Sequence, residues 1–321
     1  MAQSQDHIDE WASAGRLRAE DVRQALAMAG VTPGPAEWRA FARMALLWIG
    51  VLLMAAGVIF FFASNWKAMS RVAKFGLAEG LLVLAIGACI LLGLERTAGK
   101  SALLAGALLT GALLALVGQT YQTGADTFEL FAYWALLILP WVLAGRFGPL
   151  WMFWIFLLNT AAVMYFQAGR WGILGPLFGM HGVVWFLLGI NLAAQMAWEL
   201  AMARGVAWLE RWGARVLGLA AGGAATYIGV MAVVEFREIS AWAFPAYVAW
   251  AGAVFWHYRW RVSDVFMLSG LVLSGIVVAA VFLAKHMARD EASLLIMGVV
   301  VIGLSAAGAW WIRELAREEE Q

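Results

Sequence analysis

Three polar side chains recur at every fourth position within one long apolar stretch of the sequence. They are Asn191, Gln195 and Glu199. Four residues of α-helix turn the chain by ~400°, so each side chain lies only ~40° around the helix from the one before, and all three share one face. Because lipid solvates polar groups poorly, we predict that this face points into the protein, with Glu199 nearest the helix end and close to Arg204.

Two roles are open for this polar face. Its side chains can hold the protein together through hydrogen bonds to neighbouring helices, each worth ~0.6 kcal/mol on average. Alternatively, the same side chains line a polar path along which a substrate crosses the membrane. A filled protein interior would favour the first role, and a hydrated cavity lined by this face would favour the second.

A second polar group lies in the loop between two apolar stretches. Its candidate residues are Gln119, Tyr121, Gln122, Asp126 and Glu129. In one interpretation this is a capped turn, in which Gly124 breaks the first helix and Asp126 caps the next. In the other it is a polar vestibule for a cation or for a sugar- or lipid-derived headgroup. The acidic pair, with the amide and phenol oxygens, would then ligate a hard cation.

A third candidate is Glu79, five positions into an apolar stretch and flanked by Gly76 and Gly80. Glycines four residues apart allow a neighbouring helix to approach closely, so we predict that a helix packs over them and shields Glu79 from lipid. Lys74 and Arg71 are near enough in sequence to pair with this carboxylate. Glu79 then either snorkels to the membrane surface or serves as a proton- or cation-coupling carboxylate.

Signatures of catalysis are missing from the chain. It contains no His-Glu-x-x-His, no Gly-x-Ser-x-Gly and no Gly-x-x-x-x-Gly-Lys motif. The four histidines have no metal-ligand spacing, and the single cysteine, Cys89, excludes an internal disulfide. We therefore expect no enzymatic activity and no cofactor or metal. An enzyme acting on lipid within the membrane is the least favoured alternative, because no nucleophile and base are paired.

The composition places these residues in a membrane. Hydrophobic residues make up 64% of the 321 residues and charged residues 13%, against ~45–50% and ~25% in soluble domains. A soluble protein of this size could not bury so much apolar surface, so most of the chain must lie in lipid. A net charge of +1 argues against nucleic-acid binding through bulk charge.

Ten apolar runs are long enough to cross a bilayer, which requires ~20 residues. They cover residues 44–63, 75–94, 102–118, 130–145, 149–167, 181–203, 216–234, 241–258, 265–284 and 292–312. The runs are unbroken rather than alternating, which excludes a β-barrel, and helices satisfy their own backbone in lipid. We predict an all-α, polytopic transmembrane helical bundle of about ten spans. The fourth run contains Pro140 and is either a tilted span or a re-entrant segment.

Three regions differ in composition. Residues 1–43 are polar and predict a small soluble N-terminal helix pair, over 5–14 and 19–29, followed by the bundle at 44–312 and a charged tail at 313–321. The helix pair is too small to bury a core alone. It is either a cap on the bundle or a docking module for a partner protein.

The basic residues predict the orientation. About two-thirds of the 22 Lys and Arg residues fall on the side of the N-terminus when ten spans are assumed. By the positive-inside rule both termini are then cytoplasmic. No cleavable signal peptide opens the chain, and short loops of this kind are typical of the bacterial cytoplasmic (inner) membrane.

Two motifs, together with the N-terminal segment, resemble a known family. One is Phe60-Phe61-Phe62-Ala63-Ser64-Asn65-Trp66, and the other is Gly118-Gln119-Thr120-Tyr121-Gln122-Thr123-Gly124-Ala125-Asp126. With Trp11, Gly15 and Leu17 they resemble the domain of unknown function 2157 family of predicted bacterial membrane proteins, over roughly residues 5–165. The resemblance implies an inner-membrane protein and supplies no activity.

Together these patterns favour a non-catalytic envelope scaffold or sensor component embedded in the lipid bilayer. The alternative is a transporter or permease-like protein with its polar path along the sixth predicted span, residues 181–203.

Overall fold

The fold is entirely helical within the part of the chain that can be described. The structure, a computed structural model, describes residues 8, 10–28, 34–65, 69–122, 124–169, 182–234, 241–287 and 291–320. Among these residues there is no β-strand, so the predicted all-α class is confirmed.

The helices follow the apolar runs of the sequence closely. In chain order they are α1 (Ala19–Met28), α2 (Pro35–Asn65), α3 (Arg71–Leu92), α4 (Thr97–Tyr121), α5 (Thr127–Gly145), α6 (Gly148–Gln167), α7 (Gly182–Ala203), α8 (Arg211–Val234), α9 (Ala243–Trp256), a π-helix (His257–Arg261), α10 (Val265–Met287) and α11 (Glu291–Glu320). Helix α5 continues through Pro140, which favours a span over a re-entrant segment. A proline is tolerated there because neighbouring helices can satisfy the freed carbonyl.

Eight of these helices, α3–α8, α10 and α11, are long and apolar enough to cross a membrane. The first predicted span lies inside α2, and the eighth corresponds to α9, which is only 14 residues long before the π-helix begins. Neither is among the eight, so the count of ten stays a prediction.

The N-terminal helix pair is described only in part. Helix α1 matches the second predicted helix, 19–29, as far as Met28. Of the first predicted helix, 5–14, Ile8 and residues 10–13 are helical, and residues 5–7 and 9 lie outside the described part. Gly15 follows this segment and has a φ of +68°. Glycine adopts this left-handed conformation more easily than other residues, so it is common just after the end of a helix.

The chain divides into two compact units, Met1–Ser70 with Arg317–Gln321, and Arg71–Ala316. In the second unit successive helices from α3 to α8 pack against one another, and α8 also contacts α9 and α10. In the apolar, membrane-spanning stretches of α4 and α8, 44% of the residues are buried, whereas none is buried in the corresponding stretch of α11. Helix α8 is thus well buried and packs against α7, α9 and α10.

Small residues let the other helices approach α8. A Cβ atom placed on Gly213 would overlap the indole of Trp198, and one on Gly229 would lie 2.9 Å from Cδ2 of Tyr247. Gly218 faces Met267 and the Gln195 amide in the same way. Helices in lipid associate largely through such close packing, because lipid tails are as apolar as the side chains they would replace.

Candidate functional site

The polar face of α7 points into the protein, as its spacing predicts. Asn191 and Gln195 are 4% and 5% exposed, and the Glu199 side chain is 12% exposed. The intervening positions on the opposite face, Gly189 and Ala193, are more open.

Asn191, the first residue of this face, pairs with Asn159 of α6. Nδ2 of Asn191 donates to Oδ1 of Asn159 at 2.6 Å, and Nδ2 of Asn159 returns a hydrogen bond at 3.3 Å. Each amide also donates to the carbonyl four residues earlier in its own helix. Both side chains are therefore committed to joining α6 and α7.

Gln195 and Glu199 are linked through Tyr258, which lies in the π-helix. Nε2 of Gln195 donates to the Tyr258 hydroxyl at 2.8 Å, and that hydroxyl donates to Oε1 of Glu199 at 2.8 Å. Tyr258 is 2% exposed. A single tyrosine from a different part of the chain thus closes the last turn of the polar face.

The other carboxylate oxygen of Glu199 accepts from Nη1 of Arg211 at 2.7 Å. Arg211 opens α8, and its Nε donates to Oδ2 of Asp264 at 2.7 Å. Nε of Arg215 donates to the same oxygen at 3.1 Å. The expected neighbour of Glu199 was Arg204, but Arg211 is its ion-pair partner, because α8 packs along α7 and brings its first turn beside the last turn of α7.

We refer to these six residues as the polar cluster: Gln195, Glu199, Arg211, Arg215, Tyr258 and Asp264. Its two guanidinium groups balance its two carboxylates, so the cluster is neutral overall. Oε1 of Gln195 and Nη2 of Arg211 are buried and have no hydrogen-bond partner among the described residues. The Arg211 guanidinium also lies over the Tyr258 ring, 5.4 Å from its centroid, a favourable cation–π distance.

The backbone around the cluster is irregular in two places. Residues His257–Arg261 form a π-helix, a form that is rare and often found at functional sites. Ser263 has a φ of +47°, unusual for a residue other than glycine. The π-helix contains Tyr258, and Ser263 directly precedes Asp264, so each irregular feature lies at a residue of the cluster.

Asp264 also begins α10. Its Oδ1 accepts the backbone N–H of Met267 at 3.2 Å, three residues further on, which is the arrangement of an N-cap. Burial by itself would raise the pKa of the Asp264 carboxyl, but hydrogen bonds from Arg211, Arg215 and the Met267 N–H outweigh it. The pKa of this group therefore lies below its usual range, and the carboxylate is charged at neutral pH.

This lowered pKa predicts a loss of stability in acid. A carboxyl whose pKa is lower in the folded state stabilises the protein above its unfolded-state pKa of ~3.9, and the gain disappears as the pH falls toward the folded-state pKa. We expect the stability difference between the wild type and Asp264→Asn to be constant from pH 7 to about 5. Below about pH 4 it should shrink by roughly 1.4 kcal/mol per pH unit. Unfolding measurements at several pH values check this, and a constant difference down to pH 3 would contradict it.

The charged groups of the cluster bind one another at helix ends. Each carboxylate accepts a hydrogen bond from at least one arginine, and the Tyr258 hydroxyl donates to Glu199. Across the described ranges no three His, Cys, Asp or Glu side chains lie together in a way that could hold a metal ion. Chemically, the arrangement joins α7, α8, the π-helix and α10 at one end of the bundle.

Glu79 differs from its prediction. Its side chain is exposed, and no heavy atom among the described residues lies within 4 Å of a Cβ placed on Gly76 or Gly80. The predicted helix over these glycines is therefore not observed. The pattern of two glycines permits close packing without requiring it, and the tight contacts form instead at glycines of α4 and α8 such as Gly111 and Gly213.

The loop between α4 and α5 keeps its polar side chains on the surface. Gln119, Tyr121 and Gln122 are exposed, and helix α4 ends at Tyr121, with Gln122 in the left-handed conformation at φ of 45°. Gln122, rather than the predicted Gly124, thus follows the end of the helix directly.

Asp126 does stand at the N-cap position of α5, but its side chain makes no capping hydrogen bond. Only its backbone carbonyl does so, by accepting the N–H of Glu129 at 3.0 Å. Thr123 lies outside the described residues. A role for this loop as a vestibule stays a prediction.

Of the partners of the polar face, the sequence indicates Asn159 only as a residue that bonds to neighbours, and it does not indicate Arg211, Arg215, Tyr258 or Asp264. One signal was available. Arg215 and Asp264 directly precede apolar runs, Arg211 lies four residues before Arg215, and all three fall in predicted loops that the basic-residue count places on the same side of the membrane. Opposite charges at neighbouring span ends are candidates for pairing. Nothing in the spacing distinguishes Tyr258 from other aromatic residues at span ends.

The helices and their apolar surfaces define a multi-pass, α-helical membrane protein whose buried polar residues join helix to helix. Residues 9–151 match the model of a family described as predicted membrane protein, DUF2157, so the resemblance expected from the two motifs is confirmed. That match covers most of the first unit and α3–α5, and it ends before the polar cluster. No curated protein and no solved structure matches the chain.

Proposed function

We propose that this protein is a non-catalytic scaffold of the bacterial inner membrane, alone or as part of a sensor. The observation that supports it is the use made of the polar face of α7. Asn191 hydrogen-bonds to Asn159, Gln195 to Tyr258, and Glu199 to Tyr258 and Arg211, so the face is occupied by hydrogen bonds within the chain instead of facing a path. A bundle whose helices are joined to one another at one end in this way is suited to hold a partner in place.

The proposal includes a protein partner at the N-terminal helix pair. Helix α1 has its charged residues, Glu20, Asp21 and Arg23, in its first half and is apolar from Ala25 to Met28. Helices this small gain little from burying their own apolar faces, so a partner protein is a reasonable source of the missing burial.

The second candidate, a transporter, is favoured by one feature. A groove of about 570 Å³ between α6, α7 and α8 reaches the Asn159–Asn191 pair. Its other lining residues are almost all apolar, including Phe156, Leu187 and Leu219. A path for a polar substrate needs more donors and acceptors along its length than this groove contains, so the scaffold is the better supported function.

Thiol labelling separates the two functions. Single cysteines at positions 191, 195 and 199, with 189, 193 and 197 as controls, are introduced in a Cys89→Ala background and treated with a membrane-impermeant reagent. For a scaffold we expect no labelling at any of the six, and Asn191→Leu should destabilise the protein by about 0.6–1.7 kcal/mol, the range of such bonds in membranes. Labelling at 191, 195 and 199 alone would show a hydrated path and contradict the scaffold.

We also propose that both termini are cytoplasmic, as supported by the distribution of basic residues. Reporter fusions at Gly34 and after Gln321 should then both report the cytoplasm. Reporters on opposite sides would require an odd number of spans. In that case α9, with only 14 residues before the π-helix, would be the helix that does not span the membrane.

A further inference from the structure

The π-helix that turns Tyr258 inward also turns large aromatic side chains outward. Trp256, just before it, is 50% exposed and Trp260, within it, is 62% exposed, whereas Tyr258 between them is 2% exposed. One short segment thus contains a buried tyrosine, Tyr258, and an exposed aromatic surface formed by Trp256 and Trp260.

The exposed aromatic surface lies at one end of the bundle. Tryptophan is enriched at such positions in membrane proteins because they meet the membrane–water interface. The Trp260 ring packs edge-on against Phe255, with centroids 5.2 Å apart, and Phe255 stacks on Trp311 of α11 at 6.0 Å. Rings from two helices thus form one row. Indole rings favour the boundary between acyl chains and headgroups because they are apolar with one polar N–H.

A cation is held against this surface. The Arg261 guanidinium lies over the Trp256 ring, with Cζ 5.2 Å from the centroid. Arg261 is exposed, and within the described ranges no carboxylate forms an ion pair with it. It differs in this from Arg211 and Arg215, whose charges are used inside the polar cluster. Its planar set of N–H donors is therefore available to a ligand.

We propose that Trp256, Trp260 and Arg261 form a binding site for the phosphate of an anionic phospholipid. A guanidinium donates two parallel hydrogen bonds to phosphate oxygens, and cation–π contact fixes it at the depth where lipid phosphates lie. The indoles contact the glycerol and the first carbons of the acyl chains. Phosphatidylglycerol is preferred over phosphatidylcholine because its phosphate charge is not neutralised by an ammonium group that would compete with Arg261. This site is independent of the proposed scaffold function.

The test uses the full-length protein in detergent micelles, with thermal unfolding followed as lipid is added. Phosphatidylglycerol should raise the melting temperature more than phosphatidylcholine does, and inorganic phosphate at the same concentration should have no comparable effect. Arg261→Gln should weaken the apparent affinity for phosphatidylglycerol about tenfold or more, the loss expected for a charge-assisted contact of ~1.5–3 kcal/mol. Trp256→Leu should weaken it in the same direction, since it removes the ring that holds the guanidinium.

Arg204→Gln is the matched control. Arg204 is also exposed, and it lies in the loop between α7 and α8, on the same predicted side of the membrane, so it removes the same charge without the aromatic support. This variant should bind phosphatidylglycerol like the wild type. Equal losses in the two arginine variants would mean general charge attraction and would overturn the site. An equal effect of phosphatidylcholine or of inorganic phosphate would overturn it as well, the first by removing the selectivity for charge and the second by showing that lipid is not required.

Discussion

Replacing Asp264 with Asn is expected to lower the free energy of unfolding by about 3–5 kcal/mol, the usual cost of removing one partner from a buried ion pair. Asp264 is 2% exposed and accepts from both Arg211 and Arg215. Arg211 would lose one of its two carboxylate partners, while its side chain would remain only 25% exposed. Arg215 contributes less, because its side chain is 43% exposed and partly solvated.

The geometry of the substitution adds to this cost. In the wild type one carboxylate oxygen faces the two arginines and the other accepts the N–H of Met267. An asparagine has only one acceptor oxygen, so its NH₂ group must point either at the arginines or at the Met267 N–H. One of these interactions becomes repulsive whichever way the amide is turned.

Glu210→Gln is the control for the loss of charge. Glu210 lies in the same region of the chain and is exposed. Among the described residues its hydrogen bonds are made by its backbone carbonyl, which accepts the Trp198 indole N–H and the Gly213 N–H. The control should change the stability by less than about 0.5 kcal/mol, as is usual for surface positions. Both variants can be compared by reversible unfolding in mixed micelles. A loss below 1 kcal/mol in Asp264→Asn would show that the cluster does not hold the helix ends.

The second large effect is expected at the contact between α7 and α8. Gly213→Ala should lower the free energy of unfolding by about 2–4 kcal/mol. This value combines the cost of overpacking with the cost of leaving the Trp198 indole N–H without its hydrogen bond. The added methyl group would overlap the Trp198 ring. Trp198 is 5% exposed and packed with Ile155 and Leu217, so it has little room to move. Displacing it would also break the 3.1 Å hydrogen bond from its Nε1 to the carbonyl of Glu210.

Gly76→Ala supplies the matched control, because it makes the same change inside α3, where a Cβ meets no described atom within 4 Å. There the substitution should be neutral or stabilise the helix by up to about 1 kcal/mol, the difference in helix propensity. Unfolding in detergent would compare the two variants directly. Equal destabilisation would mean that the helix itself, and not the Trp198 contact, requires glycine.

The sequence by itself determined the material and the local geometry of this protein. A chain that is 64% hydrophobic and broken into runs of about 20 residues must form membrane helices, because lipid leaves the backbone no other partner. The shared face of Asn191, Gln195 and Glu199 was also predictable, since it depends only on the period of one helix. Its inward direction followed from the cost of placing polar groups in lipid.

Only the tertiary structure decided which partners these residues meet. Tyr258 stands 63 positions from Gln195 in the chain, and Arg211 rather than Arg204 reaches Glu199. Among the described residues, close helix contacts form at Gly213 and Gly218 and not at Gly76 or Gly80. The physical reason is common to all three: helices in lipid are joined by shape and by a few hydrogen bonds. These depend on how neighbouring helices are rotated and offset, which the apolar pattern of a single helix does not specify.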